Sequence, residues 1–93
     1  MRLITWDASF RRAFKRRTRN NAYLEQRILH IIELLAEDSF SPLLKTHKLH
    51  GKLEGLWACW VEYDCRIVFA FEPAESGEDR IVLIDIGTHD EVY

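Results

Sequence analysis

The sequence predicts an α+β fold in which a helical hairpin packs on one face of a small antiparallel sheet, with elements in the order β-α-α-β-β-β. Three observations predict it. Gly55 to Phe71, GLWACWVEYDCRIVFAF, sets two runs of aromatic and β-branched residues on either side of Tyr63 and Asp64, the pattern of a tight hairpin with half-buried strands. Two apolar stripes at helical spacing precede it, the first through Phe10, Ala13 and Phe14 and the second through Leu24, Ile28, Ile31 and Leu35. A further strand follows in RIVLIDI, Arg80 to Ile86.

The elements follow in order. Arg2 to Trp6 is a short run containing β-formers, and Asp7 stops it. Asp7 or Ser9 then caps a first helix, whose other faces carry Arg11, Arg12, Lys15, Arg16, Arg17 and Arg19. Asn20 and Asn21 break that helix and cap a second, with Glu25 in its first turn, where the helix dipole favours an anion. It runs to about Asp38 and ends before Pro42, since proline disfavours helical geometry in the residue preceding it. Leu43 to Glu54, LLKTHKLHGKLE, reads as a basic connector containing His47 and His50. After the hairpin, PAESGED is a polar turn-forming loop. The tail from Thr88 to Tyr93 reads as too short for another element.

Side chains alternate along a strand, so Trp57, Cys59, Val61 and Tyr63 fall on one side of the hairpin and Ala58, Trp60 and Glu62 on the other. In the second run Cys65, Ile67, Phe69 and Phe71 share a face, leaving Arg66, Val68 and Ala70 opposite. Arg66 is the informative residue: a permanent cation inside a strand of Ile, Val and Phe requires an anion, a carboxylate partner such as Glu62, or open solvent on that face. Turning at Tyr63 and Asp64 sets Cys59 near Val68 and Cys65 near Glu62, so no disulfide is expected.

Ninety-three residues fit a single domain, residues 1–93, and no apolar run approaches the roughly 20 residues needed to cross a bilayer. MRLITWDASF lacks the apolar core of a secretory signal, so a cytoplasmic location is expected. The net charge of −2 conceals an asymmetry: through Lys52 there are 11 Lys and Arg against 5 Asp and Glu, and from Leu53 onward 2 against 10. A basic half can follow a phosphate backbone or an acidic partner segment.

The sequence has no Gly-rich phosphate loop, HExxH, CxxC or GxSxG, so the common nucleotide-hydrolysis, zinc-protease and serine-hydrolase chemistries have no visible carrier. What remains is imidazole, guanidinium and lysine: His47, Lys48, His50 and Lys52 in the connector, Arg66 in the hairpin, His89 and Tyr93 at the end. If the helices leave one sheet face free, these segments can converge there. Such a set suits phosphodiester cleavage of RNA: imidazoles move protons near neutral pH while fixed cations stabilise the charge of the transition state. A metal site built on His47, His50 and a cysteine is the poorer reading, because HxxH lacks further regularly spaced ligands.

Three segments carry a resemblance to a known family. LKTHKLHGKLEGLW, then YDCRIVFAF, then IDIGTHDEVY resemble the RelE superfamily of toxins from bacterial type II toxin-antitoxin systems, and within it the YafQ branch, over nearly the whole chain. The resemblance implies a ribosome-dependent mRNA endonuclease, needing no cofactor, that is held inactive by a cognate antitoxin. By match of motif, His47 takes the place of a catalytic histidine, Asp64 that of a catalytic or positioning carboxylate, Arg66 that of the scissile-phosphate arginine and His89 that of the general acid. Tyr93 takes the place of an aromatic residue that orients a base. Lys48, His50 and Lys52 are substrate-binding candidates by proximity, and Arg12 and Arg16 are candidates for binding an acidic antitoxin segment. The first hairpin strand departs from the YafQ pattern, with Trp60 where a further histidine is expected, which leaves the general base open between His47, His50 and no strict base. Two other readings belong to the same fold: a gyrase-inhibiting toxin of the ParE type, against which His47 and His89 argue, and a catalytically decayed module that only captures antitoxin.

Overall fold

Asp7 both ends the first strand and starts the first helix. Its extended backbone (φ −67°, ψ 155°) stops β1 (Ile4–Trp6), and its carboxylate accepts from the Ser9 backbone N–H to cap α1 (Ala8–Thr18). That carboxyl is held below the ordinary range, first by the Ser9 hydroxyl and backbone N–H, with Arg12 adding a smaller pull. The computed structural model describes residues 1–75 and 77–92. Asn21 caps α2 (Ala22–Glu37) by accepting from the Leu24 N–H. Single 3-10 turns at Pro42–Leu44 and Gly51–Leu53 flank the two-residue strand β2 (His47–Lys48), so the connector is more ordered than its composition indicates. Then come β3 (Trp57–Glu62), β4 (Cys65–Glu72) and β5 (Arg80–Gly87), followed by one turn of helix, α3 (His89–Val92).

The five strands form one sheet in the order β1-β5-β4-β3-β2. From β2 to β5 every pairing is antiparallel, but β1 runs parallel to β5, with Ile4, Thr5 and Trp6 opposite Ile81, Val82 and Leu83. The sheet is therefore mixed rather than purely antiparallel: the helical hairpin carries the chain across the sheet face between β1 and the strands that follow.

Both helices lie on one face. Phe10 and Ala13 from α1 and Leu24, Ile28, Ile31 and Leu35 from α2 pack against Cys59, Val61, Ile67, Phe69, Ile81 and Leu83. Trp6 closes the end of this core, its ring edge-on to Phe10 at 4.9 Å. Cys59 and Cys65 are free and buried in it, and burial drives the Cys59 thiol up to about 12.

The other face is covered only in part. Leu49 from the connector and Val92 from α3 fold over Ala58 and Val68, with Leu53, Leu56 and Ile84 around them. Burial of Val92 there, together with a capped first turn, lets the short tail form α3 where no element was expected. The cover stops short of the hairpin end, and the face beyond it carries Arg66.

Two bulges set the register. The β3 and β4 partners are Cys59 with Ile67, Trp60 with Arg66, and Glu62 with Cys65, leaving Val61 as an extra residue. Cys59 thus lies opposite Ile67, not Val68 as expected. A second irregularity, between Val68 paired with Asp85 and Phe69 paired with Leu83, leaves Ile84 extra in β5.

Candidate active site

The uncovered end of the sheet holds a cleft of about 400 Å³ lined by Lys45, His47, Trp60, Arg66 and His89. They come from four places in the chain. Lys45 sits just after the Pro42–Leu44 turn in a left-handed conformation (φ 50°), which turns the chain into β2 and brings His47 opposite Ala58 on the cleft face. Trp60 and Arg66 are paired across β3 and β4, and Arg66 is paired with Gly87 on its other side.

Gly87 leaves little space, since a Cβ there would meet Val92 Cγ2 at 3.2 Å and Glu91 Cβ at 3.3 Å. The chain turns immediately after it through a reciprocal cap: the Thr88 N–H donates to Glu91 Oε1 at 2.7 Å, and the Glu91 N–H donates to Thr88 Oγ1 at 3.2 Å. That cap places His89 as the first residue of α3, at the mouth of the cleft. Glu91 is held below its ordinary range, chiefly by the Thr88 N–H, with the Thr88 hydroxyl, Arg17 and Arg16 contributing less.

His47 Nδ1 lies 2.8 Å from the Lys45 carbonyl. A carbonyl only accepts, so in the neutral ring the proton sits on Nδ1 and Nε2 carries the lone pair. Arg66 uses Nη1 to donate to the carbonyls of Glu62, Tyr63 and Cys65 at 2.6, 3.0 and 3.2 Å. One edge of its guanidinium therefore holds the hairpin turn while the residue lines the cleft. Arg17 holds the same turn from the helix side, its Nη2 donating to the Asp64 carbonyl at 3.2 Å.

Asp64 lies beside this cleft rather than in it, lining an adjoining groove with Tyr63, Arg66, His89 and Asp90. His89 Nδ1 is 3.6 Å from Asp90 Oδ1. The structure thus brings His47, Arg66 and His89 together, with Asp64 next to them. It does not bring in Lys48, whose ammonium lies over the Trp57 ring at 5.6 Å, or His50, which borders neighbouring grooves on the connector. Lys52 is exposed on the second 3-10 turn and lines none of these clefts. Arg12 and Arg16 are exposed on α1, and Tyr93 lies outside the described residues.

Sequence reasoning missed several residues that build the site. Lys45 carried no signal beyond its charge, and Arg17 was grouped with the other cations of α1. Thr88 and Glu91, by contrast, have the T-x-x-E spacing of a capping box and were readable as one. Among the described residues no group of three or more His, Cys, Asp and Glu side chains is placed to hold a metal ion. Cys59 and Cys65 sit on the helix side of the sheet, across it from His47.

Two helices on one face of a mixed five-stranded sheet make the fold of the small RelE-like toxins, and in this chain the other face carries a cationic, imidazole-lined cleft. The family model described as "Bacterial toxin of type II toxin-antitoxin system, YafQ" matches residues 2–93, and the chain belongs to that family. No curated protein matches it. Among solved structures it is similar to the YoeB/ParE toxin from Agrobacterium tumefaciens, with TM-score 0.77 and 21% identity over 94% of this chain and 98% of that one. It is similar as well to YafQ from E. coli strain BL21(DE3), with TM-score 0.75 and 16% identity over 100% and 99% of the two chains. A chain of the E. coli DinJ-YafQ complex matches with TM-score 0.73 and 17% identity over the same shares. At these identities the likeness carries the fold.

Proposed function

We propose that this toxin is an endoribonuclease that cuts messenger RNA in the ribosomal decoding site by acid-base catalysis from its own side chains. The observation that carries the reading is the cleft itself, which Arg66 from β4 shares with two imidazoles, His47 from β2 and His89 from α3.

In this reading His47 Nε2 takes the proton of the 2′-hydroxyl, a role its Nδ1 contact with the Lys45 carbonyl prepares. The 2′-oxygen attacks phosphorus, the P–O5′ bond breaks, and a 2′,3′-cyclic phosphate forms. His89, protonated, gives its proton to the departing 5′-oxygen. Arg66, which cannot exchange its proton, stabilises the charge gathered on the phosphate oxygens. Asp64, beside Arg66 and His89, positions that pair. His47 is favoured over His50 as base because only His47 shares the cleft with Arg66 and His89. Lys48, His50 and Lys52 lie on the connector outside the cleft and would contact the message away from the cut, and Tyr93 would orient a base.

A cognate antitoxin is the expected partner, as the E. coli relative was crystallised in a DinJ-YafQ complex. The test is brief induction followed by primer extension on total RNA, paired with a gyrase assay. New 5′ ends positioned in the decoding site support the reading. Intact messages with DNA damage would point to a gyrase-directed toxin, and neither effect to a module that only captures antitoxin.

A further inference from the structure

We propose that the indole of Trp60 is a stacking platform for one nucleobase of the bound message; the inference rests on the reading of this cleft as an RNA-cleaving site. Four observations carry it. Trp60 is directly opposite Arg66 on the same sheet face, so the two side chains start about 4.5–5.5 Å apart at Cβ. A nucleotide whose phosphate rests on Arg66 therefore has its base within reach of the ring. Trp60 is only half-buried and belongs to neither apolar core, whereas its neighbours Cys59 and Val61 are sealed under the helices. No strand among the described residues pairs beside it, because β2 pairs only with Trp57 and Ala58 and ends before Trp60.

The fourth observation is the pair of cations around the ring. Arg27 of α2 is fixed by donating from Nε to the Val61 carbonyl at 3.0 Å, and its guanidinium stands 5.8 Å from the ring centroid. It holds the indole from the helix side. Lys45 places its ammonium 5.1 Å from the centroid on the cleft wall, at the end of a flexible stem. An exposed ammonium-ring contact is weak compared with base stacking, so a base can replace it over the ring and release Lys45 to a phosphate. A large aromatic face among cations, in a concavity of about 400 Å³, matches how single-stranded bases are held, with room for about one nucleotide. An indole N–H only donates, so Trp60 cannot take the 2′-hydroxyl proton. Stacking is what it can contribute to this site.

The test is single-turnover cleavage on ribosomes programmed with a short message, in which each decoding-site nucleotide in turn is replaced by an abasic ribose. For wild type, one position is expected to raise the half-saturating toxin concentration by roughly 10- to 100-fold. Trp60→Leu, which keeps apolar volume without a π-face, should show that rise on the intact message and no further rise at that position. Trp60→Phe should stay within a few-fold of wild type. The proposal is overturned if no abasic position stands out for wild type, a result that needs no variant to fold. Equal loss in the Leu and Phe variants, or none in either, overturns it too. If wild type cuts in an Arg66-dependent way yet ignores Trp60→Leu, stacking alone falls. If wild type binds its antitoxin but cuts no message, the cleavage reading falls and stacking with it.

Discussion

Trp60 and Arg66 face each other across β3 and β4 because Val61, between Trp60 and Glu62, is left out of the ladder. A two-residue turn at Tyr63 and Asp64 would otherwise pair Val61 with Arg66, setting a core residue and a cleft residue on the same face. The bulge removes that conflict. It lets Val61 stay buried while its carbonyl anchors Arg27, and it brings the indole beside the guanidinium.

Arg66 therefore has two tasks, and its variants should separate them. Arg66→Ala removes the charge from the cleft and the donor to three turn carbonyls. Cleavage is expected to fall by roughly 10² to 10³, the range for losing one transition-state donor. Stability should fall by about 1 kcal/mol, less than is usual for charged hydrogen bonds, since the site is partly exposed. Arg66→Lys should not restore the rate, because one ammonium cannot serve the turn and a phosphate in two directions. Thermal melts beside single-turnover rates check this; a Lys variant at the wild-type rate contradicts it.

The two imidazoles are exposed, so their variants should disturb the fold less than those of Arg66. His89→Gln is expected to lower single-turnover cleavage by roughly 10² to 10⁴ with little change in ribosome affinity, as for the loss of a general acid. His47→Gln should do the same, whereas His50→Gln, outside the cleft, should stay within a few-fold of wild type. A strong His50 effect with an inert His47 would reassign the base.

Glu91 gives a pH dependence with a definite sign. Its folded-state pKa lies below the ordinary 4.5, mainly because the Thr88 N–H donates to the carboxylate. A depressed carboxyl contributes stability that is present above 4.5 and is lost as the pH falls through the lowered folded value. The melting-temperature gap between wild type and Glu91→Gln should follow that course, closing on acidification. At neutral pH Glu91→Gln can still accept from Thr88, so it should cleave far better than Glu91→Ala, which releases the turn that places His89. Equal rates for the two variants would remove Glu91 from the positioning of His89.

Alternation alone placed Arg66 on the face away from the helices, and the helical stripes placed the core residues on the other, so the layers were legible in the sequence. The bulge at Val61 was legible only as a contradiction: alternation and a two-residue turn give incompatible partners for Arg66. The pairing of Ile4 with Ile81 was not legible, because nothing local records a parallel contact across most of the chain. The role of Arg17 was not legible for a related reason. Composition counts it among the cations of α1, and only packing shows that it points at the Asp64 carbonyl while its neighbours face solvent. The cleft residues were readable as types, and their meeting point depended on turns at Lys45 and Thr88 that only the folded chain displays.

That difference among the α1 cations shapes the prediction for antitoxin binding. Arg12 and Arg16 are exposed, four residues apart, and so share one side of the helix, the arrangement an acidic segment folding onto the toxin would meet. Exposed charges steer association more than they hold the complex, so Arg12→Glu should slow association by roughly 10-fold at low ionic strength and by less as salt screens the field. Melting of the free toxin should fall only slightly, through the small pull that Arg12 exerts on the capping Asp7 carboxyl. Arg16→Glu should slow association as well, and because Arg16 is only the smallest of the influences on the exposed Glu91 carboxyl, α3 should be little disturbed. Arg17→Glu serves as the contrast: it strips the Asp64 turn of a donor and should destabilise the free toxin. Association kinetics across a salt series, with melts of each variant, distinguish the three. Rates that ignore both salt and Arg12→Glu would place the antitoxin elsewhere on the toxin.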